Sequence, residues 1–163
     1  MMKKNILPYL FLFLLCTLGA TKSSFAQRGA PYNTSVGLFL DLGNGPTWVG
    51  PHIKHYFTAN DAGQFMVLFG DHTTTLGAEY SYNKDIPGAR GLRWNIGVGP
   101  QVHFFSFNGW SQTNVSLRPQ VGLEYKIPGA PLAFGFDWRP YWQLTHNSDF
   151  EAGRFGMSFK YTF

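Results

Sequence analysis

His146 and Ser148 stand two residues apart, with Glu151 three further on. A histidine placed to take the proton of a serine hydroxyl is the core of a nucleophilic hydrolase. On an extended strand two such positions share a face, so the pair could meet. Asn147, Ser148 and Asp149 are also ordinary turn formers, and the expectation here is a plain loop with hydrolysis as the alternative. His52, His55, His72 and His103 have no ligand spacing for a metal, and His52 and His55 fall on opposite faces if their segment is extended. We expect no metal, no cofactor and no nucleic-acid partner, since no phosphate loop, nucleotide motif or nucleic-acid module is present. A second set of polar residues is larger. Asp41, Lys54, Glu79, Arg93, Arg118, Glu124, Asp137, Arg139, Arg154 and Lys160 fall at alternate positions of segments whose other positions are apolar.

Those segments set the fold. After residue 34 no stretch holds an apolar period of 3.6, whereas a period of two recurs, which predicts strands. At the C-terminus Phe155, Met157, Phe159, Tyr161 and Phe163 alternate with Arg154, Gly156, Ser158, Lys160 and Thr162. The same division separates Leu132, Phe134, Phe136 and Trp138 from Ala133, Gly135, Asp137 and Arg139, and Val121, Leu123 and Tyr125 from Gln120, Gly122 and Glu124. Similar patterns cover 92–98, 75–82 and 36–42, and 47–57 and 63–70 are strands by position with blurrier alternation. That makes eight. Thr58–Asp61, Asn83–Gly91 and Lys126–Ala130 form the turns at the end holding both termini. Gly43–Gly45, Gly70–His72, Ser106–Gln112 and His146–Glu151 form those at the other. A weak repeat relates Gly77-Ala78-Glu79-Tyr80 and Ile86-Pro87-Gly88-Ala89 to Gly122-Leu123-Glu124-Tyr125 and Ile127-Pro128-Gly129-Ala130, two strands later.

Residues 1–26 differ in kind. Lys3 and Lys4 precede an apolar run from Ile6 to Leu18, and Ser24-Phe25-Ala26 supplies small residues at a cleavage site, the layout of a secretory signal peptide. The run is too short for a spanning helix, which needs roughly 20 residues. Leu15 before Cys16 argues against lipidation of that cysteine. Cleavage would leave residues 27–163 as one domain without cysteine, carrying 10 basic and nine acidic side chains. The net charge of +4 for the whole chain therefore owes most of its excess to the signal.

An eight-stranded barrel has interior room for one layer of side chains, and the aromatic face is too bulky to fill it. The face with glycines and charges fits. The expectation is an antiparallel up-and-down transmembrane β-barrel turned apolar side out. Strands of roughly 9–11 residues suffice to cross, and closure satisfies every backbone group. Tyr80, Tyr82, Trp94, Tyr125, Tyr161 and Phe163 would form an interfacial girdle. The ten charges are expected to fill the lumen as compensating pairs: Arg93 with Glu79 and Glu124, Asp137 with Arg118 and with Arg154 or Lys160, and Asp41 with Arg154 across the seam. A narrow pore is the alternative. Pro51, Pro100, Pro119 and Pro140 fall inside strands and cannot donate to a ladder. They are expected as an outward partial ring toward the end away from the termini, each with a bulge or a missing bond.

The signal segment, the alternating strands and the ending Phe155-x-Met157-x-Phe159-x-Tyr161-x-Phe163 resemble small outer-membrane barrels of the OmpX and OmpA-domain type, including uncharacterised ones of Bacteroidota. The resemblance implies an integral protein of the Gram-negative outer membrane with lipid and lipopolysaccharide around it. It also implies delivery to the barrel-assembly machinery through Phe159, Tyr161 and Phe163, and a structural or surface-interaction role without catalysis. The short loops at the outer end depart from many relatives and put adhesin-like functions in doubt. His146-x-Ser148 with a glutamate resembles outer-membrane lipid A deacylases, in which histidine acts as base on serine. There the glutamate comes much later in the chain than Glu151 does here.

Overall fold

A computed structural model describes residues 29–145 and 148–163. The expected signal peptide and His146 lie outside the described residues. Ten strands follow one another: β1 (Thr34–Gly43), β2 (Trp48–Tyr56), β3 (Asp61–Gly70), β4 (Thr73–Asp85), β5 (Leu92–Phe107), β6 (Trp110–Lys126), β7 (Leu132–Trp138), β8 (Tyr141–Gln143), β9 (Asp149–Glu151) and β10 (Arg154–Thr162). Each pairs antiparallel with its sequence neighbour up to β7. β7 and β8 are two pieces of a seventh stave and β9 and β10 of an eighth, and β1 pairs with β10 to close the ring. The result is a closed eight-stranded barrel. Among the described residues no helix is long and apolar enough to cross a membrane.

The register gives the barrel its geometry. From Ala133 the rungs run to Lys160, Gly37, His52, Met66, Gly77, Gln101 and Ser116, and return to the starting stave at Gln143. The path therefore comes back displaced by the ten residues from Ala133 to Gln143, a shear that tilts the strands and fixes the width of the ring. Alternation decides which face each residue takes. Leu38, Ile53, Phe65, Ile96, Val121, Phe136 and Phe159 are exposed on the outside, whereas all ten charged residues named above are buried inside. The outer aromatics Tyr82, Trp94, Tyr125 and Tyr161 lie within a few rungs of the end where the chain termini meet.

The turns repeat with the sequence. Pro87-Gly88 and Pro128-Gly129 fill the centres of two like turns, closed by Ala89 N to Ile86 O at 3.1 Å and Ala130 N to Ile127 O at 3.3 Å. Both glycines have φ of 82°, which a type II turn demands at that place. Three expected loops are corrected. Ser106–Gln112 is not a loop: β5 and β6 continue to Phe107 and Trp110 and reverse through Asn108-Gly109, whose φ values of 49° and 82° suit a two-residue hairpin turn. Asp149–Glu151 is strand β9, paired with β8. Asn83–Gly91 is likewise shorter, because β4 runs to Asp85.

All four prolines interrupt the ladders. Pairing is lost between β2 and β3 at Pro51 and between β4 and β5 at Pro100. It is lost again between β7 and β8 at Pro140, which the register sets opposite Pro119. Leu144 N donates to Val115 O at 2.9 Å, and bonded pairs alternate along an antiparallel ladder. Pro119 and Pro140 thus occupy a pair that would exchange two bonds, and both donors are missing. Pro51 and Pro100 are exposed outside, while Pro119 and the more covered Pro140 line an outer groove with Tyr80, Val98 and Trp138. With a climb of about one residue per strand from the shear, the four lie within roughly two residues of one level.

Candidate functional site: the charged lumen

The inward side chains fall in three tiers. Nearest the termini, Glu124 on β6 is the hub. Its Oε2 accepts from Lys54 Nζ of β2 at 2.9 Å and from Lys160 Nζ of β10. Its Oε1 accepts from the hydroxyls of Tyr32 at 2.8 Å and Tyr56 at 3.4 Å. Lys54 also donates to Asn83 Oδ1 at 2.7 Å. Arg93 closes this end, with Nε 2.9 Å from Asp85 Oδ1 and Nη2 donating to Ala59 O at 2.9 Å.

In the middle tier Arg139 Nη2 binds Glu79 Oε1, which also accepts from Gln101 Nε2 at 3.0 Å. The Arg139 guanidinium lies 4.5 Å from the centre of the Phe39 ring, and Met66 and Leu68 pack beside that ring. Asp137 accepts from Asn95 Nδ2 at 3.0 Å. Toward the far end Asp41 bridges two arginines, Arg118 through Oδ2 and Arg154 through Oδ1, the latter at 2.6 Å. Arg154 further donates to Asn44 O at 2.7 Å and Pro46 O at 2.8 Å, and its guanidinium stands 4.7 Å from the Trp48 ring.

Asp41 and Arg154 meet across the β1–β10 seam. The other pairings differ from the expected scheme. Arg93 pairs with Asp85 and with neither Glu79 nor Glu124, and Asp137 has an amide partner where a cation was expected. The expectation assumed that charges pair with adjacent strands. The lumen is narrow enough that side chains reach across it, so Asp41 of β1 meets Arg118 of β6 and Glu124 of β6 meets Lys54 of β2. Burial of ions costs several kcal/mol each unless partners and hydrogen bonds compensate; Asp41, Glu79 and Glu124 each have a cationic partner, while Arg118 and Arg139 keep Nε and Nη1 without a hydrogen bond.

Sequence reasoning missed most of the apolar and aromatic filling: Trp48, Tyr56, Met66 and Leu68 are buried inward, beside Phe39, whose place the alternation along β1 gives. Their signal is weak because β2 and β3 carry bulky apolar groups on both faces. His52 and His55 do split between the faces, with His52 buried against Gln64 Oε1 at 3.0 Å and His55 outside. Between Lys54, Glu124, Asp137 and Lys160 no space remains for a water molecule. Among the described residues no group of histidine, cysteine and carboxylate side chains could hold a metal.

Ser148 and Glu151, the described residues of the hydrolytic alternative, have partners of their own. Ser148 Oγ accepts from the Trp142 indole at 3.2 Å, and Glu151 Oε1 accepts from Gly153 N at 2.7 Å and Asn44 Nδ2 at 3.0 Å. Glu151 is thus a rim cap tying β9 to the β1–β2 turn. Phe159, Tyr161 and Phe163 point outward near the terminal end of the seam and are exposed.

The close packing around Lys54, Glu124, Asp137 and Lys160 has an electrical consequence. The purified barrel in a planar bilayer should give no discrete conductance steps, and stable openings at moderate voltage would mean that the tiers part readily.

Comparison with solved structures finds the same fold. The N-terminal β-barrel domain of Pseudomonas aeruginosa OprF superposes with a TM-score of 0.67 at 14% identity, covering 80% of this chain and 96% of that one. Neisserial surface protein A matches over 80% of this chain and 94% of its own at 12% identity, with a TM-score of 0.48. No family model matches the chain, and no curated protein does.

Proposed function

We propose that this protein is an integral barrel of a Gram-negative outer membrane, exported by a cleaved signal peptide, with a structural or surface-interaction role and no catalysis. The observation that carries this reading is the inversion of the faces. Leu38, Ile53, Phe65, Ile96, Val121, Phe136 and Phe159 are exposed around the wall while the charges are inside. In water such a surface would be an extensive apolar patch of the kind that drives association. In a bilayer it is the required lipid-facing band, flanked by aromatic residues. Lipid and lipopolysaccharide are its surroundings, and the terminal aromatics Phe159, Tyr161 and Phe163 are the recognition feature for the barrel-assembly machinery.

Expression of the full chain and of a form lacking Phe163 tests this. The full chain is expected in the outer-membrane fraction as a band whose gel mobility changes on heating. The shortened form is expected to accumulate unfolded and be degraded. Recovery of the full chain as a soluble periplasmic protein would refute the membrane placement, and normal insertion without Phe163 would refute the role of the terminal aromatics.

A further inference from the structure

The β5–β6 hairpin rises past its neighbours. Its last rung against β4 is Phe105 with Thr73, and on the other flank Leu144 N donates to Val115 O. Beyond them the two strands pair chiefly with each other, up to Phe107 opposite Trp110. Phe105, Phe107 and Trp110 are exposed on this projection, Trp110 by 81%. They continue the alternate set that lower on the same strands faces the lumen, with Gln101 and His103 on β5 and Ser116 and Arg118 on β6. The three rings therefore face across the mouth of the barrel. The His72 ring lies 4.6 Å from that of Phe107 and steadies it. On the same face Gln112 Nε2 donates to Asn114 Oδ1 at 3.0 Å, which leaves the other amide groups of the pair to serve a ligand.

Charge selects the occupant. From 104 to 117 the chain has no acidic or basic residue, and its polar side chains are hydroxyls and amides beside the Trp110 indole. An anionic ligand would call for arginine or lysine forks, which this face lacks. We propose that the face binds a neutral oligosaccharide at the cell surface. Sugar rings present C–H faces that stack on flat aromatic groups, and their hydroxyls both donate and accept, as amides do. The placement agrees, and it rests on the membrane reading above. The outer apolar residues reach Phe104 and Leu144, whereas Trp110 is three residues, about 10 Å, further along the strand than the partner of Phe104. The rings would stand above the hydrocarbon, in the saccharide layer.

The test uses the full-length protein purified in detergent on an array of neutral and acidic oligosaccharides, with Trp110→Ala and Gln112→Ala beside the wild type. Retention is expected on neutral glycans alone, falling at least tenfold in Trp110→Ala and severalfold in Gln112→Ala. Heat-dependent gel mobility checks that both variants keep the barrel. Because the array reads the purified protein, its result is separate from that of fractionation. The proposal is overturned if no neutral glycan is retained, if retention is undiminished in a folded Trp110→Ala protein, or if acidic glycans bind instead. It is also overturned if Trp110 serves only to bind sugar-free phospholipid vesicles, which would make the tip a membrane anchor.

Discussion

Replacing Glu124 by leucine is expected to lower the stability of the folded barrel by about 3–5 kcal/mol, the range for breaking one side of a buried ion pair. The substitution leaves Lys54 and Lys160 as neighbouring ammonium groups without their shared carboxylate, and it removes the acceptor of the Tyr32 and Tyr56 hydroxyls. Urea titration in detergent, followed by tryptophan emission and gel mobility, reads the change as a lower midpoint. The triple variant Lys54→Met, Glu124→Leu, Lys160→Met should recover most of the loss, because an apolar filling of similar volume often matches a buried ion cluster. An unshifted midpoint in the single variant would show that the lower tier contributes nothing to stability.

Gly37→Val should be as damaging for a steric reason. A Cβ built on Gly37 lies 1.9 Å from Phe159 O and 2.7 Å from Lys160 Cα. Both are backbone atoms of β10, so the clash cannot be relieved by turning a side chain. It is relieved only by parting β1 from β10, the pairing that closes the ring. Overpacking elsewhere costs roughly 1–3 kcal/mol, and here the top of that range or more is expected. The variant should remain at the mobility of the unfolded chain after transfer to micelles that fold the wild type. Refolding with the wild-type urea midpoint would mean that the strands at Gly37 are not held so close.

The outward face was legible because it is repetitive: along β7 and β10 every second residue is a large apolar group, and a strand so marked has one orientation in a barrel. β2 and β3 were harder. Val49 and Ile53 outside alternate with Trp48 and Tyr56 inside, and Phe65 and Phe69 outside with Met66 and Leu68 inside, so both faces read as apolar. The ten inward charges could be found from alternation, but their partners could not. Pairing across the lumen depends on the shear and on how far each side chain reaches, and neither is written in a single strand. That is why Glu124 could be placed inside while its two lysines could not be assigned. The outer extension of β5 and β6 was hidden for another reason: Ser106, Asn108 and Gly109 read as loop formers, yet just two residues make the turn.

The proline level changes how the mouth is expected to move. The broken rungs lie between β2 and β3, between β4 and β5, and between β6 and the β7–β8 stave. They alternate with the β1–β2, β3–β4 and β5–β6 ladders, whose rungs continue through the same height. Each intact ladder is closed at the outer end by its own turn. The outer part of the barrel is thus a set of hairpins whose mutual pairing lapses at the proline level and resumes above it, while the β1–β10 seam runs through unbroken. Under lateral pressure it would yield first at these three gaps, leaving each hairpin whole and the shear of the lower wall unchanged.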